Sequence, residues 1–539
     1  MRAGVYRKIS IGEMKGWIRE EVLPLLPPSF FKDPFSFVQQ AGGEMIKDSR
    51  HRWAGIIQLP NHQRIFLKGD RTKGWLESLK YFFLPSKGRK EWFIAHQLQK
   101  KGLPIPKPLG WMEKVYRRGI QESYYLSEAV GSGVSLIDLL KSKENIPIES
   151  LAKAVRRFHD AGLFHKDLHA GNFLWRGEDF FLTDLHRAKI LSSPPLNKRL
   201  WNLAQWFHSL RSTWEENDRL VFFRKYFGEK SITSQKEKEM FQKILTMMHR
   251  LQKRQFKSRT KRCLKESTEF SVQKEDHIFY YHRREFPLAL LRNKIEEHLN
   301  LSKKNSNALV KKESGVSISI LKERDQGIIV KEFRPVSFWS RFKELFRHSK
   351  GMKAWVNGNG LIVRGVATLK PLALIEERSR WGLTKSFFLM EALEKGQELD
   401  RYLSNGFQDV LKKRVFIKAF AQWVAQLHKM NIYHRDMKAC NILVSKNEGS
   451  WNFHLLDLED IRLDKRVNAK ELFKNFLQLN TSIPQTITHT DRLRFLKEYF
   501  WSNPILKYNK DWILRLIQKS KERGIVYVTP NGVVEARWV

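Results

Sequence analysis

Two short segments carry side chains whose types and spacing suit phosphoryl transfer. In FHKDLHAGN, Asp167 stands five residues before Asn172, and Asp184 follows in FLTDLHRA. In IYHRDMKACNILV, Asp436 stands five residues before Asn441, and Asp457 follows in HLLDLED. Moving a phosphoryl group asks little covalent work of a protein; it asks for positioning and for neutralisation of developing charge. Asp167 and Asp436 suit a base that takes the acceptor hydroxyl proton. Asn172, Asp184, Asn441 and Asp457 offer the hard oxygen ligands that Mg²⁺ prefers. Upstream, Lys68 ends the apolar run RIFLK and Lys331 ends GIIVK, each placed to hold the α and β phosphates of ATP. Glu91, 23 residues beyond Lys68, would orient that lysine through an ion pair. One Asp-x-x-x-x-Asn arises by chance in any long chain; four elements in one order, twice, do not.

The two sets belong to an internal repeat. SKGRKEWFIAHQLQKKGLPIPKPLG from Ser86 overlies SKGMKAWVNGNGLIVRGVATLKPLA from Ser349 without a gap, at a shift of 263. The same shift carries Lys68 onto Lys331 and YYLSEAV at Tyr124 onto FFLMEAL at Phe387. The catalytic loops match at 269 and the metal loops at 273, a drift that short loop insertions explain. At 273, NLAQWFHSL from Asn202 matches NFLQLNTSI from Asn475, and DRLVFFRKYF matches DRLRFLKEYF, all helical in period and suited to a core. One departure matters. The gapless register sets Ala354 opposite Glu91, so Lys331 lacks its expected partner. Either another carboxylate substitutes, or this copy binds nucleotide poorly or serves as a scaffold.

Within each copy a β-like run ends in the lysine, a helix follows, and a strand leads into Glu128 or Glu391, expected at an interlobe hinge beside the nucleotide. An amphipathic helix, AKAVRRFHDAGL or IKAFAQWVAQLHKM, then delivers the first acid, and a hairpin delivers the second. This order predicts an α+β class: two tandem protein-kinase-like folds, each with a small mixed lobe and a larger, mostly helical one. Residues 1–255 and 306–539 are the expected domains, with 256–305 as a basic and helical linker. His165 and His434 are expected to brace the catalytic loops through backbone contacts. Gly42, Gly43 and Gly315 precede the lysine strands, but no GxGxxG motif is present.

Bulk properties narrow the partners. Lys and Arg total 98 against 57 Asp and Glu, a formal charge of +41 that draws phosphate-bearing partners: nucleic acid, an anionic membrane or a phosphorylated sugar. Two cysteines, Cys263 and Cys440, exclude a disulfide framework and fit a reducing compartment. No apolar run long enough to span a membrane is present, and the N-terminus does not read as a signal peptide. The early stretch GEMKGWIREEVLPLLPPSFF reads as an amphipathic segment that either lies in a membrane interface or caps the first small lobe.

HRDMKACNILV is similar to the catalytic loop of protein kinases, and HKDLHAGNFLW to that of small-molecule kinases. Still nearer is the resemblance to the lipopolysaccharide inner-core kinases, which phosphorylate heptose or Kdo sugars on the cytoplasmic side of the Gram-negative inner membrane. It is carried by both catalytic loops, by LTDLHR and LLDLED in the place of that family's acidic metal motif, and by the flanking helices of each copy. The resemblance implies a kinase-like fold, ATP and magnesium, a sugar hydroxyl as acceptor, and a peripheral membrane location. Lys438, as in protein kinases, would touch the γ phosphate, where copy one has His169. The alternatives are a Ser/Thr protein kinase and a partly inactive scaffold or nucleic-acid-binding protein. No APE sequence follows Asp184 to support the first, and the scattered basic residues lack the aromatic signature of RNA binding. No specific nucleic acid is therefore expected.

Overall fold

The computed structural model describes residues 5–40, 42–72, 74–116, 119–131, 134–142, 146–177, 179–228, 234–304, 309–313, 315–323, 325–337, 347–447, 449–503, 510–529 and 532–538. It divides into two units, Met1–Gln252 and Lys253–Val539.

Unit one begins with a seven-stranded antiparallel sheet. Its strands are β1 (Tyr6–Ile11), β2 (Met14–Arg19), β3 (Glu44–Ser49), β4 (Arg52–Gln58), β5 (Arg64–Arg71), β6 (Pro108–Tyr116) and β7 (Gly119–Glu128), in the spatial order β1-β2-β6-β7-β5-β4-β3. Lys68 on β5 sits opposite Ala54 of β4 and Tyr125 of β7. Alternation along β5 buries Ile65 and Leu67 in the lobe's own core, with Ile18, Trp53, Leu109, Met112 and Leu126. Lys68, of opposite parity, is thereby turned to the other face of the sheet. The larger lobe is built on helices Ile148–Asp160, Leu196–Ser209 and Glu216–Phe227, around Phe158, Phe173, Leu203, Trp206, Phe207 and Phe222.

Unit two repeats this plan strand for strand. Its sheet runs Phe270–Glu275, Ile278–Arg283, Pro371–Ser379, Gly382–Glu391, Gln326–Phe333, Val316–Glu323, Leu309–Glu313, which is the same spatial order. Lys331 sits opposite Ile318 and Phe388 as Lys68 sits opposite Ala54 and Tyr125. The small lobe packs around Leu291, Val330, Ala373, Phe387 and Leu389, and the large lobe around Val424, Ile442, Leu455 and Tyr499.

One expectation is corrected. Residues 256–305 are not a linker. They hold the end of helix Ser234–Thr260, the first two strands of the second sheet, and helix Leu288–Lys304. Most of their lysines and arginines lie toward the surface, whereas Phe270, Tyr280 and Leu291 are buried, with Arg283 and Lys294 buried beside them. The early stretch follows the second of its two readings and packs on the first small lobe. It forms β2, a 3₁₀ turn Leu23–Leu25 and a short helix Pro28–Lys32, with Ile18, Val22 and Phe30 fully buried.

One helix in each unit carries the geometry to the site. In unit one it is Lys87–Lys100, capped by Ser86 Oγ, which accepts from Arg89 N at 3.3 Å. In unit two it is Lys350–Val363, capped by Ser349 Oγ, which accepts from Met352 N at 2.9 Å. The glycine after each cap lets the helix lie against the sheet: a Cβ on Gly88 would come within 2.4 Å of the Tyr124 carbonyl oxygen. Gly88→Ala should therefore cost about 2 kcal/mol by overpacking, read as a lower urea midpoint for unit one, and should weaken nucleotide binding by displacing Glu91.

Candidate active site

In unit one the expected groups converge. Lys68 Nζ donates to Glu91 Oε2 at 2.8 Å and forms a second, shorter ion pair with Asp184 Oδ1. Glu91 also accepts from Leu185 N at 3.1 Å, so one buried carboxylate joins the helix, the lysine strand and the metal loop. Burial disfavours the Lys68 ammonium, but Glu91 and Asp184 outweigh it and hold its pKa above the ordinary value. Burial likewise pushes the Asp184 carboxyl up, and His186 and Lys68 reverse this, leaving it well below the usual carboxylate range. Asp184 occupies the left-handed region at φ 59°, ψ 41°, and Asp457 does the same at φ 46°, ψ 55°. Asp tolerates this conformation because its short polar side chain bonds locally.

The catalytic loop is braced as the histidines suggest. Asp167 N donates to His165 Nδ1 at 3.1 Å, so Nε2 carries the proton and donates to the Asp184 carbonyl at 3.1 Å. In unit two Asp436 N donates to His434 Nδ1 at 3.2 Å, and Nε2 donates to the Leu456 carbonyl at 2.9 Å. Asn172 Nδ2 donates to the Asp167 carbonyl at 3.1 Å, and Asn441 Nδ2 to that of Asp436 at 2.8 Å, leaving each Oδ1 as the atom suited to a cation. Asp167 itself pairs with Arg187 at 2.5 Å, whereas Asp436 pairs with Lys438 at 3.1 Å.

A cleft of about 360 Å³ opens beside Lys68. Ile46, Ala54 and Ile56 roof it, Tyr125 and Glu128 line its inner edge, and Leu174 and Leu182 form its floor. An apolar slot ending in a lysine and two acids suits a base at one end and phosphates at the other. The roof is a hairpin whose turn is Arg50–His51, so it is basic and not glycine-rich. Gly42 and Gly43 precede β3, and only Gly315, in unit two, stands at the hairpin turn. Glu128 ends β7, pairing with Lys107 at 3.3 Å, and Glu391 pairs with Lys370 at 2.9 Å in the same place.

Unit two resolves the question raised by Ala354. Lys331 does not lack a second carboxylate: its Nζ lies 2.7 Å from Asp457 Oδ1 and 2.6 Å from Glu459 Oε1. The substitute comes from the metal loop, at the position that His186 holds in unit one. There, His186 Nδ1 lies 2.8 Å from Asp184 Oδ1, and Arg52 donates to Nε2 at 3.3 Å. Glu91, Asp184 and His186 also lie close enough together to share a cation.

A second group escaped the sequence reading. Asn202, Gln205 and Ser209 line one face of helix Leu196–Ser209 and clamp the catalytic loop by its backbone. Asn202 donates to the His165 carbonyl at 2.5 Å, Gln205 to that of Lys166 at 2.6 Å, and Ser209 Oγ accepts from Ala170 N at 3.0 Å. Asn475, Gln478 and Ser482 repeat these contacts on the His434 and Arg435 carbonyls and Ala439 N, at 2.7, 3.0 and 2.8 Å. The signal was present as the shared N-x-x-Q-x-x-x-S of the two segments, hidden inside an amphipathic pattern that reads as core.

His159 and His428 anchor the clamps from behind, bonded to Tyr226 and Asn202 in unit one and to Tyr499 and Asn475 in unit two. Burial depresses both imidazoles from 6.5 to about 4. The unfolded chain thus binds a proton near pH 6.5 that the folded chain refuses until about pH 4. Each network should lose about 3 kcal/mol of stability as pH falls across that window and little more below it. Urea unfolding at pH 7 and pH 5 tests this, and His428→Gln should flatten the profile of unit two.

A small β lobe with a buried lysine–carboxylate pair, over a helical lobe with a braced Asp…Asn loop and a left-handed Asp, defines a protein-kinase-like fold, here present twice. The model of the lipopolysaccharide kinase (Kdo/WaaP) family matches residues 43–226 and 345–499, more than half of the chain. The chain belongs to this family. It is 27% identical over 222 residues to the lipopolysaccharide core heptose(I) kinase WaaP of Escherichia coli (strain K12), covering 36% of this chain and 82% of that protein. The heptose(I) kinase WaaP of Pseudomonas aeruginosa is 27% identical over 218 residues, 36% of this chain and 81% of its own length. The 3-deoxy-D-manno-octulosonic acid kinase of Xylella fastidiosa (strain M23) is 30% identical over 179 residues, 32% of this chain and 64% of its own.

Proposed function

We propose that the chain is an ATP-dependent kinase that phosphorylates a sugar hydroxyl of the lipopolysaccharide inner core, heptose or Kdo, with unit one as a working site. The observation that carries this is the grip of Glu91 and Asp184 on Lys68 at the closed end of an apolar cleft, beside Asp167. Lys68 holds the α and β phosphates. Asp167 accepts the acceptor hydroxyl proton as the oxygen attacks the terminal phosphorus, and the bond from that phosphorus to the β-phosphate oxygen breaks to release ADP. Asn172 and Asp184 would hold magnesium, a hard cation that their oxygens suit. That ion, when bound, neutralises charge on the phosphates. Beside the cleft, Arg52, Lys87 and Arg187 stand among Glu77, Asp167 and Asp184 as a rim of paired charges.

The sugar acceptor is supported by the names of the relatives and by the short path from Asp184 to helix Leu196–Ser209, which leaves little room for a protein-kinase activation segment. Among the described residues no helix is long and apolar enough to cross a membrane. With the early apolar segment buried, docking at the inner membrane's cytoplasmic face would rest on basic residues, each contributing about 1 kcal/mol at an anionic surface. The test is transfer of labelled phosphate from ATP to isolated core lipopolysaccharide, a lipid A precursor and a generic protein substrate. Label on the core alone is expected; label on the protein alone would replace the sugar acceptor with a protein one.

A further inference from the structure

We propose that unit two binds magnesium nucleotide in its own right, and that Glu459 is the positioning residue that makes it competent. The proposal rests on the phosphotransfer reading above and extends it to a site in which the sequence removes the orienting acid.

Both lysines are buried, 6% exposed each, and both meet two carboxylates. In unit one the carboxylates come from two elements, Glu91 of the helix and Asp184 of the metal loop. In unit two both come from one 3₁₀ turn, at Asp457 and Glu459. The exchange involves more than one position. Where unit one has Arg52, Glu91 and His186 in contact range, unit two has Val316, Ala354 and Glu459. A glutamate at 459 beside a second one at 354 would bury two acids against a third at 457. Ala354 relieves that repulsion, and it is fully buried against the loop. A decaying site loses a charged group and leaves its partner unpaired at a cost of several kcal/mol; here the lost group is replaced from another position.

The surrounding structure fits the new source of the carboxylate. Asn357 Nδ2 donates to the Leu458 and Ile461 carbonyls at 2.8 and 2.9 Å, pinning the turn that bears Glu459. A Cβ on Gly358 would come within 2.8 Å of Leu458 Cδ1, so the helix lies tightly on that turn. The rest of the constellation is complete: Asp436, Asn441 and Lys438 hold their loop contacts.

The experiment uses the full chain in a Lys68→Met background and a trinitrophenyl-ATP titration with magnesium. Saturable binding is expected, abolished by adding Lys331→Met. Glu459→Gln should weaken it about 10- to 100-fold, the worth of a charge-assisted hydrogen bond. Glu459→His alone should do the same, and Ala354→Glu with Glu459→His should restore binding to within about threefold by rebuilding the arrangement of unit one. A purely structural role for Glu459 would move the unfolding midpoint and not be rescued this way. If Glu459→Gln fails to fold, Glu459→Asp, one methylene short, replaces it with the same expectation. Parent-like binding in the folded Glu459 variants, no rescue in the double variant, or no binding in the Lys68→Met background overturns the proposal. Transfer by the unsubstituted chain is measured separately, so failure of the kinase reading is distinguishable from failure of this one.

Discussion

Replacing Asp167 with Asn is expected to lower phosphate transfer by about 10³-fold, the scale of a lost general base, while the unfolding midpoint stays near that of the parent. The fold should survive because Asp167 is half exposed and its brace runs through its backbone: its N–H bonds His165 and its carbonyl accepts from Asn172. An amide keeps that backbone geometry and removes the proton acceptor together with the charge that pairs with the half-exposed Arg187. The same change at Asp436 apportions turnover between the units. Loss only on Asp436→Asn would place the chemistry in unit two, and full activity in both variants would overturn the kinase reading. The check is steady-state transfer from labelled ATP together with urea unfolding.

Glu91→Gln is expected to lower kcat/KM for ATP by about 10²-fold. Glu91 has two obligations, one oxygen to the Leu185 N–H and one to the Lys68 ammonium. An amide can keep the first with its oxygen, which sets its NH₂ against Lys68. A buried charge that loses a partner costs about 3 kcal/mol, and the damage falls where phosphates bind. The effect should therefore be concentrated in KM for ATP, and an ATP titration of initial rates reads it. The equivalent position in unit two offers a contrast, since Ala354→Gln there replaces no carboxylate and should leave Lys331 paired with Asp457 and Glu459.

The legible part of this molecule was whatever the chain repeats. Lys68 with Lys331, Asp167 with Asp436 and Asp184 with Asp457 announce themselves because two copies keep type, order and spacing together, and the element order follows from them. Glu459 was illegible for the opposite reason. Register alignment asks what stands opposite Glu91 and finds Ala354, whereas the carboxylate that reaches Lys331 comes from a loop over a hundred residues away, and only side-chain geometry brings it there. The residues Asn202, Gln205 and Ser209 share the helical period of their apolar neighbours, so pattern cannot separate a buried hydrogen-bonding face from a core face. The strands of 270–283 were masked by polar side chains: Gln273, Lys274, Glu275 and Arg283 make a half-buried hairpin read as a solvated linker.

Each of the two sheets is drawn from one uninterrupted stretch of chain: all seven strands of the first lie before Ala129, and all seven of the second lie after Glu269. Chains that emerge from the N-terminus fold domain by domain, and similar neighbours risk exchanging strands. Here the first sheet can close its hydrogen bonds before any strand of its duplicate has been synthesised. Order of synthesis thus keeps apart two copies whose strand order alone would let them mispair.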